Sequence, residues 1–402
     1  MKLRKPDYYD RFKCIAGACK DSCCIGWEID VDEERLEEYR NVTGELGERL
    51  KQCIDWEEGH FILQGKEERC PFLNRENLCD LIIGLGEESL CEICREHPRY
   101  YEWYEGLTEV GVGLCCEEAA RLVLECEEPV GFVVEELAEE PENTEDNEDD
   151  AETLEVLMNA REAAYMILQN RERSIWERLE RFLTYVEELQ DGIEFGNLDE
   201  IEESAEYYGS LEFQGEDYEE DALEDECGTG CDSEQVEDSE DIADAGALKV
   251  LHAMIQVCRE LEPIDESWPK TLDELETLLD SGETFKTMVS QMGHQYSERD
   301  YEYEHLAVYL VYRYFMKCRN DSDLYSKGLL AVFFVCLVHL LDVLVYAKTG
   351  TLTKMDRAMN AKCCSKEIEY SEDNLAKLAD IFWERDSVSA DAFRSLLLYK
   401  FG

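Results

Sequence analysis

Cysteine is the residue of this sequence whose type and spacing could support chemistry. Nineteen cysteines occur in the 402-residue chain, and twelve of them precede residue 127. Thiolates are soft ligands, and four of them on converging loops suit a zinc ion or an iron–sulfur cluster. A short spacing such as Cys91-x2-Cys94 lets one turn of chain present two sulfurs to the same metal. The pattern therefore predicts a metal centre in the N-terminal part of the chain.

The candidate metal ligands fall into four stretches of sequence. They are Cys14, Cys19, Cys23, Cys24, Cys70, Cys79, Cys91, Cys94 and Cys116. A surplus of thiols beyond the four that zinc needs favours an iron–sulfur cluster, with 4Fe–4S as the expected type and zinc as the alternative. A disulfide scaffold is less favoured, because such scaffolds belong to small secreted domains and this chain begins with a charged segment that has no apolar signal.

The charge of the chain limits its partners. It has 97 acidic against 39 basic residues, a formal net charge of -58. A field of this sign repels nucleic acid, so we expect no nucleic-acid partner. The apolar run 329–346 approaches the length of a membrane span, but His339 and Asp342 interrupt it, and a buried helix is the preferred interpretation. We expect a cytoplasmic protein without a transmembrane segment, and peripheral membrane contact stays open.

The elements that must position the thiols are mainly helical. Apolar residues recur with the helical period in several segments, and the alternation typical of strands is almost absent. The segments are 151–189, 248–261, 272–279, 303–319, 327–348 and 374–385. We predict a mainly α protein, in which residues 1–126 form a cysteine-rich metal-binding domain of loops and short helices and residues 151–402 form a helical domain. Acidic composition predicts a linker at 127–150 and a mobile insertion at about 197–245.

Some residues of the helical domain have both a functional and a structural interpretation. His305 and His339 lie on apolar helical faces, where a satisfied core histidine is favoured over a metal ligand. A tyrosine stripe that includes Tyr303 and Tyr309 resembles an aromatic cage for a methylated ammonium, but this spacing more often means packing. Cys227, in the predicted insertion, is interpreted as a free thiol.

Several motifs occur together along the chain. They include Cys14-Ile15, Asp21-Ser22-Cys23-Cys24, Cys70-Pro71-Phe72-Leu73-Asn74, Leu90-Cys91, Pro98-Arg99 and Tyr303-Glu304-His305-Leu306. In these motifs the chain resembles the flagellin lysine-N-methylases of bacteria. The resemblance implies transfer of methyl groups from S-adenosylmethionine to surface lysines of flagellin. It assigns no catalytic base and no donor site. Because the cysteine motifs also occur in other metal-binding proteins, a non-catalytic zinc- or iron-binding protein is the alternative.

Overall fold

The computed structural model describes residues 1–20, 22–26, 29–66, 68–137, 151–210 and 234–398. Of residues 234–245 it describes the backbone alone. The pattern of contacts divides the chain into two compact units. One consists of Met1–Leu122 and Gly131–Thr144, and the other of Val123–Val130 and Glu145–Gly402. Cys227 and Cys231 lie outside the described residues.

The first unit combines a small sheet with short helices. Its strands are β1 (Lys2–Pro6), β2 (Ile54–Asp55), β3 (His60–Phe61), β4 (Arg99–Tyr104), β5 (Leu107–Val112) and β6 (Phe132–Glu136). Its helices are α1 (Glu33–Asn41), α2 (Gly44–Cys53), α3 (Asp80–Leu85), α4 (Glu92–Glu96) and α5 (Glu117–Glu125), the last of which continues into the second unit. Four strands form one sheet in the order β4-β5-β1-β6, in which β1 runs parallel to β5 and antiparallel to β6.

This sheet corrects our prediction of loops and short helices for the N-terminal domain. The strand β5 is buried along most of its length, so it lacks the alternation of apolar and polar residues that marks a half-buried strand. The strands β4 and β5 are joined by a tight turn, in which Gly106 adopts the positive φ of 73° that favours glycine. The range predicted as a linker contains β6, and residues 138–150 lie outside the described part of the chain.

The second unit is helical, which confirms the prediction of a mainly α protein. Its helices are α6 (Ala151–Leu168), α7 (Ile175–Phe195), α8 (Leu198–Tyr208), α9 (Glu234–Glu260), α10 (Trp268–Asp280), α11 (Glu283–Tyr296), α12 (Tyr301–Tyr314), α13 (Cys318–Asp321), α14 (Leu324–Thr349), α15 (Lys354–Glu369), α16 (Glu372–Glu384) and α17 (Ala390–Leu398). Both α8 and the start of α9 fall within the range predicted to be a mobile insertion, and residues 211–233 lie outside the described part.

The predicted helix over 151–189 is interrupted between α6 and α7. Ser174 is the N-cap of α7, and its hydroxyl accepts a hydrogen bond from the amide of Glu177. The Glu177 carboxylate accepts one in return from the Ser174 amide, which completes a capping box. These two hydrogen bonds satisfy the backbone amides of Ser174 and Glu177, which have no partner within the helix. A new helix therefore begins here.

The helix α14 lies in the core of the second unit. It is long and apolar enough to cross a membrane by length and composition alone, but 94% of its most apolar window is buried inside the protein. Its side chains from Leu329 to Leu344 are all buried. The interpretation of this run as a buried helix is therefore confirmed.

Packing between α7 and α14 depends on Gly328. A Cβ atom at this position would lie 2.6 Å from Cγ1 of Val186, closer than two carbon atoms can approach. We expect Gly328→Ala to lower the free energy of unfolding by about 1–2 kcal/mol, because overpacking costs up to about 3 kcal/mol and the helical preference of alanine returns only about 1.

Gly246→Ala is the matched control for this prediction, to be measured by urea unfolding. Gly246 also lies in a helix, but no atom of the described residues would come within 4 Å of its added Cβ. This variant should therefore gain about 1 kcal/mol of stability from helical preference alone. A shift of the same sign in both variants would contradict the packing explanation.

Candidate functional site

Five of the nine predicted metal-ligand cysteines converge on one apolar core in the first unit. We call Cys24, Cys70, Cys79, Cys91 and Cys94 the five-thiol cluster. Cys70 and Cys91 are buried members of this core, and the other three pack against it. The amide of Cys70 donates a hydrogen bond of 2.8 Å to the carbonyl of Cys24, which joins two distant parts of the sequence. The fully buried ring of Phe72 belongs to the same core and excludes water from it.

The thiols of this cluster influence one another electrostatically. A hydrogen bond from Cys23 lowers the pKa of the Cys24 thiol to about 7, against the opposing effect of burial. Cys94 lowers the pKa of Cys91 in the same way, whereas burial raises the pKa of Cys70 to about 12. Each hydrogen-bonded pair thus shares a proton. Because metal ligation requires thiolates, a bound cation would replace such protons.

The remaining candidate ligands lie together in a second group. We call Cys14, Cys19, Cys23 and Cys116 the four-thiol group. Cys14 and Cys116 are close enough to Cys23 to raise its pKa by charge repulsion, after the larger effects of its hydrogen bond to Cys24 and of burial. The Cys19 thiol donates a 3.5 Å hydrogen bond to Glu117, the residue that follows Cys116. The two groups adjoin at Cys23, because its thiol is hydrogen-bonded to Cys24 of the five-thiol cluster and also lies near Cys14 and Cys116.

The spacing of the sulfurs bears on which metal would fit. Four sulfurs around one zinc ion lie about 3.8 Å apart, given a Zn–S bond of about 2.3 Å in a tetrahedron. Within the described ranges, no three cysteine sulfurs lie within 4.8 Å of one another. The residues that do bring three potential ligand atoms this close are Asp55, Glu58 and His60, on the turn between β2 and β3. Cys91 and Cys94 are close enough to be hydrogen-bonded, but no third described cysteine sulfur joins them at the spacing of a single zinc site.

The second unit contains a separate cavity of about 280 Å³. Its floor is formed by side chains that are nearly inaccessible to solvent: Trp176, Met292, Tyr303, His339 and Arg357. Its rim is formed by exposed residues, namely Ser174, Glu177, His294 and Ser297. Asp300 also lines the cavity, at the start of α12 and half-buried. We call it the Asp300 cavity.

A buried polar network supports the floor of this cavity. The Tyr303 hydroxyl donates a 2.7 Å hydrogen bond to Asp342 and accepts one of 3.0 Å from Arg357. Nδ1 of His339 lies 3.0 Å from the same hydroxyl. Because the hydroxyl proton is already given to Asp342, we assign the His339 proton to Nδ1. Burial and the charge of Arg357 lower the pKa of His339 to about 3, so the ring is neutral at physiological pH.

Charges in this network are balanced by salt bridges. Arg357 pairs with Asp342 at 2.6 Å and with Glu302 at 2.8 Å, and Arg299 also pairs with Glu302 at 2.8 Å. All four side chains are buried or nearly so. The two arginines therefore neutralise Glu302 and Asp342 before any ligand enters the cavity.

Asp300 differs from these acidic neighbours. Its carboxylate forms no salt bridge and accepts no side-chain hydrogen bond within the described residues. Burial raises its pKa to about 6, although the charges of Arg357 and Arg178 act in the opposite direction. A carboxylate with this pKa is ionised at neutral pH and is a stronger base than an ordinary aspartate.

Sequence reasoning found only part of this second site. His305 is the core histidine that we predicted, with its ring nitrogens beside the carbonyl oxygens of Val123 and Glu128. His339 is buried as predicted, yet it contacts the floor of the cavity. Asp300 and Arg357 gave no recognised signal. A signal for the buried network was Asp342, because a charged residue within an apolar run needs a buried partner, here Arg357.

Comparison with known proteins identifies relatives of this chain. A family model described as the FliB lysine N-methylase C-terminal domain matches residues 161–397. The lysine-N-methylase of Salmonella typhimurium is 27% identical over 133 residues, which are 31% of this chain and 33% of that protein. The flagellar biosynthetic protein FliU of Salmonella muenchen is 27% identical over 133 residues, which are 78% of its length.

These matches differ in their coverage. The chain matches about a third of the length of the curated lysine-N-methylases, including that of Salmonella choleraesuis at 26% identity. No solved structure matches it. The family model, by contrast, covers more than half of the chain, and its range contains every residue that lines the Asp300 cavity. The chain therefore belongs to the FliB lysine N-methylase family.

Proposed function

We propose that this protein methylates the ε-amino groups of lysines, with flagellin as the protein substrate and S-adenosylmethionine as the methyl donor. The observation that carries the proposal is the family match over residues 161–397. The names of the relatives, lysine-N-methylase and flagellar biosynthetic protein, support a lysine acceptor on a flagellar protein. The sulfonium donor rests on the resemblance alone.

Methyl transfer to lysine requires an amine that has lost its proton. A free lysine has a pKa of about 10.4, so at neutral pH nearly all of it is protonated and lacks the lone pair that attacks the methyl group. Removal from water favours the neutral amine, and a nearby base can accept the proton that the ammonium loses. The Asp300 cavity offers both, since its floor is buried and its carboxylate has a raised pKa.

We further propose that the five-thiol cluster holds an iron–sulfur cluster, of the 4Fe–4S type, with zinc as the alternative. Support comes from the convergence of five thiols on one core, which is more than the four ligands that a single zinc ion needs. When bound, such a cluster would cross-link the starts of α3 and α4 to the segments that contain Cys24 and Cys70. The chain itself contributes the apolar packing, including Phe72 and Leu50, that shields the thiols from water.

The charge of the protein fits a lysine-bearing substrate. A net charge of -58 attracts a basic protein surface and accelerates the encounter with it. Mobile ions screen this attraction within about 8–10 Å at 0.1–0.15 M salt. The rate of encounter with the substrate should therefore fall as salt is raised.

Intact-mass spectrometry of flagellin tests the proposed activity. Flagellin from the organism that carries this gene should show added mass in steps of one methyl group, and deletion of the gene should abolish these steps. Complementation should restore them, and purified protein should add them to unmethylated flagellin only when S-adenosylmethionine is present. An unchanged flagellin mass in the deletion strain would contradict the proposal and leave a non-catalytic metal-binding protein as the remaining function.

A further inference from the structure

We infer that the Asp300 cavity is the acceptor site of the protein: it receives the side chain of a lysine, with Asp300 as the counter-ion and proton acceptor of its ε-amino group. This inference rests on the proposed function for the identity of the reaction. The binding of an alkylammonium group follows from the cavity itself, and it can be tested apart from any methyl transfer.

The size of the cavity favours a side chain over a larger ligand. Pockets that enclose drug-sized molecules have volumes of about 300–1,000 Å³. The Asp300 cavity, at about 280 Å³, lies just below this range. It is therefore small for a whole nucleoside-containing donor, whereas an unbranched lysine side chain fits it with room for the methyl group that is transferred.

The lining of the cavity suits both parts of a lysine side chain. Trp176, Met292 and Tyr303 present apolar surface to the methylene stem. Trp176 is also the aromatic side chain that attracts a cation most strongly. Its ring is held in place by edge-to-face packing on His339, with 4.9 Å between the ring centres.

The charge at the mouth of the cavity is selective for a cation. Three carboxylates lie close together at the start of α12, those of Asp300, Glu302 and Glu304. Arginine side chains engage both Glu302 and Glu304 through hydrogen bonds of 2.6–3.0 Å. Asp300 is the one of these three that forms no salt bridge with a described residue, and it faces the cavity. It is therefore the group available to an incoming ammonium.

Proton transfer follows from this arrangement. The ε-ammonium gives its proton to the Asp300 carboxylate, and the neutral amine keeps the electron pair. That pair forms the new N–C bond while the C–S bond of the sulfonium donor breaks, and the sulfur leaves with the bonding electrons as a thioether. The product is a methylated ammonium, and the proton on Asp300 passes to water at the open rim. The neutral ring of His339 and the paired Arg357 add no net repulsion to the cation.

The first test measures amine binding by the full-length chain in the absence of any donor. The probe is n-butylammonium, followed by saturation-transfer NMR, with n-butanol as the uncharged probe of equal length. We expect the wild type to bind n-butylammonium in preference to n-butanol. Asp300→Asn should weaken the binding of n-butylammonium at least about tenfold, because it removes the paired charge. Asp300→Glu, which keeps the charge, should retain binding.

Glu298→Gln is the matched control. It removes the same charge two residues away, from an exposed side chain that does not line the cavity. It should leave the binding of n-butylammonium unchanged. Asp300→Asn should also unfold at no lower urea concentration than the wild type, because the carboxylate makes no hydrogen bond that asparagine would lose. Wild-type protein without affinity for n-butylammonium, or equal affinity in Asp300→Asn, would overturn the inference.

The second test measures methyl transfer as a function of pH. In the wild type, kcat should fall as the pH drops through about 6, because Asp300 then becomes protonated and accepts no proton. Asp300→Asn should lower kcat by about 10²–10⁴-fold and abolish this acid limb. A wild type that binds n-butylammonium but methylates no lysine would overturn the proposed function while supporting the acceptor site. Methyl transfer by Asp300→Asn at the wild-type rate would overturn the role of Asp300.

Discussion

Replacing Arg357 with methionine is expected to lower the free energy of unfolding by about 3–5 kcal/mol, the largest effect that we predict for a single substitution in the helical unit. The Arg357 side chain is only 2% exposed and forms salt bridges with Asp342 and Glu302, which are fully buried. It also lies over the ring of Tyr303, 4.0 Å from its centre. Methionine fills a similar volume but carries no charge. The buried carboxylates of Asp342 and Glu302 would therefore lose their salt bridges with Arg357 in an interior that solvates charge poorly.

Arg385→Met serves as the control, with both variants compared by urea unfolding. Arg385 also forms a 2.6 Å salt bridge, with Glu260, but the two side chains are 37% and 39% exposed. Surface pairs of this kind contribute about 0–1 kcal/mol, since water solvates each partner after the other is removed. A loss of less than about 1 kcal/mol in Arg357→Met would show that the buried carboxylates become protonated or hydrated at little cost.

Replacing Cys91 and Cys94 together with serine is expected to abolish metal binding by the five-thiol cluster. Of the five predicted ligands the double variant keeps Cys24, Cys70 and Cys79, fewer than the four thiolates that a cluster needs; Cys53 packs against the same core but is not a predicted ligand. Ligation by four protein groups contributes on the order of 10 kcal/mol to the folding of a small structural metal site. The first unit should therefore lose its cooperative unfolding as well as its metal.

Anaerobic purification followed by iron, acid-labile sulfide and zinc analysis checks this prediction. The wild type should be brown and contain iron and sulfide, whereas the double variant should contain neither. The matched control is the Cys14→Ser/Cys116→Ser variant, which removes two thiols of the four-thiol group and should keep the visible absorbance of the five-thiol cluster. Colourless wild-type protein with stoichiometric zinc would replace the iron–sulfur proposal with a zinc site. Equal loss of metal in both variants would show that the two groups do not ligate separately.

The helical class could be predicted from the sequence because it is recorded locally. In amphipathic helices such as α7, apolar residues recur at three- and four-residue intervals, so a short window of the sequence displays the helical period. The strand β5 was not predicted, because it is buried on both faces and so lacks the alternation of apolar and polar residues that indicates a strand. The capping box that begins α7 at Ser174 was also missed, although the motif is visible in the sequence.

The candidate site could be predicted only in its residue types. The nine cysteines were identified as ligands from their chemistry and spacing, and their binding of metal stays a prediction. Their arrangement in two adjoining groups was not accessible, because Cys23 lies near Cys24 and also near Cys116, which is distant from it in the sequence. Spacing along the chain limits which thiols can meet, but it does not determine which of the distant loops converge.

By itself, the sequence therefore determined the mainly helical class, the presence of many clustered cysteines and the acidic charge, since these depend on composition and on near neighbours. Only the tertiary structure decided which charges are neutralised. Arg357 of α15 reaches Glu302 and Asp342, which lie on other helices, whereas Asp300 faces a cavity and has no such partner among the described residues. Whether a carboxylate is a structural ion or an available base depends on contacts across helices, and these arise only when the chain has folded.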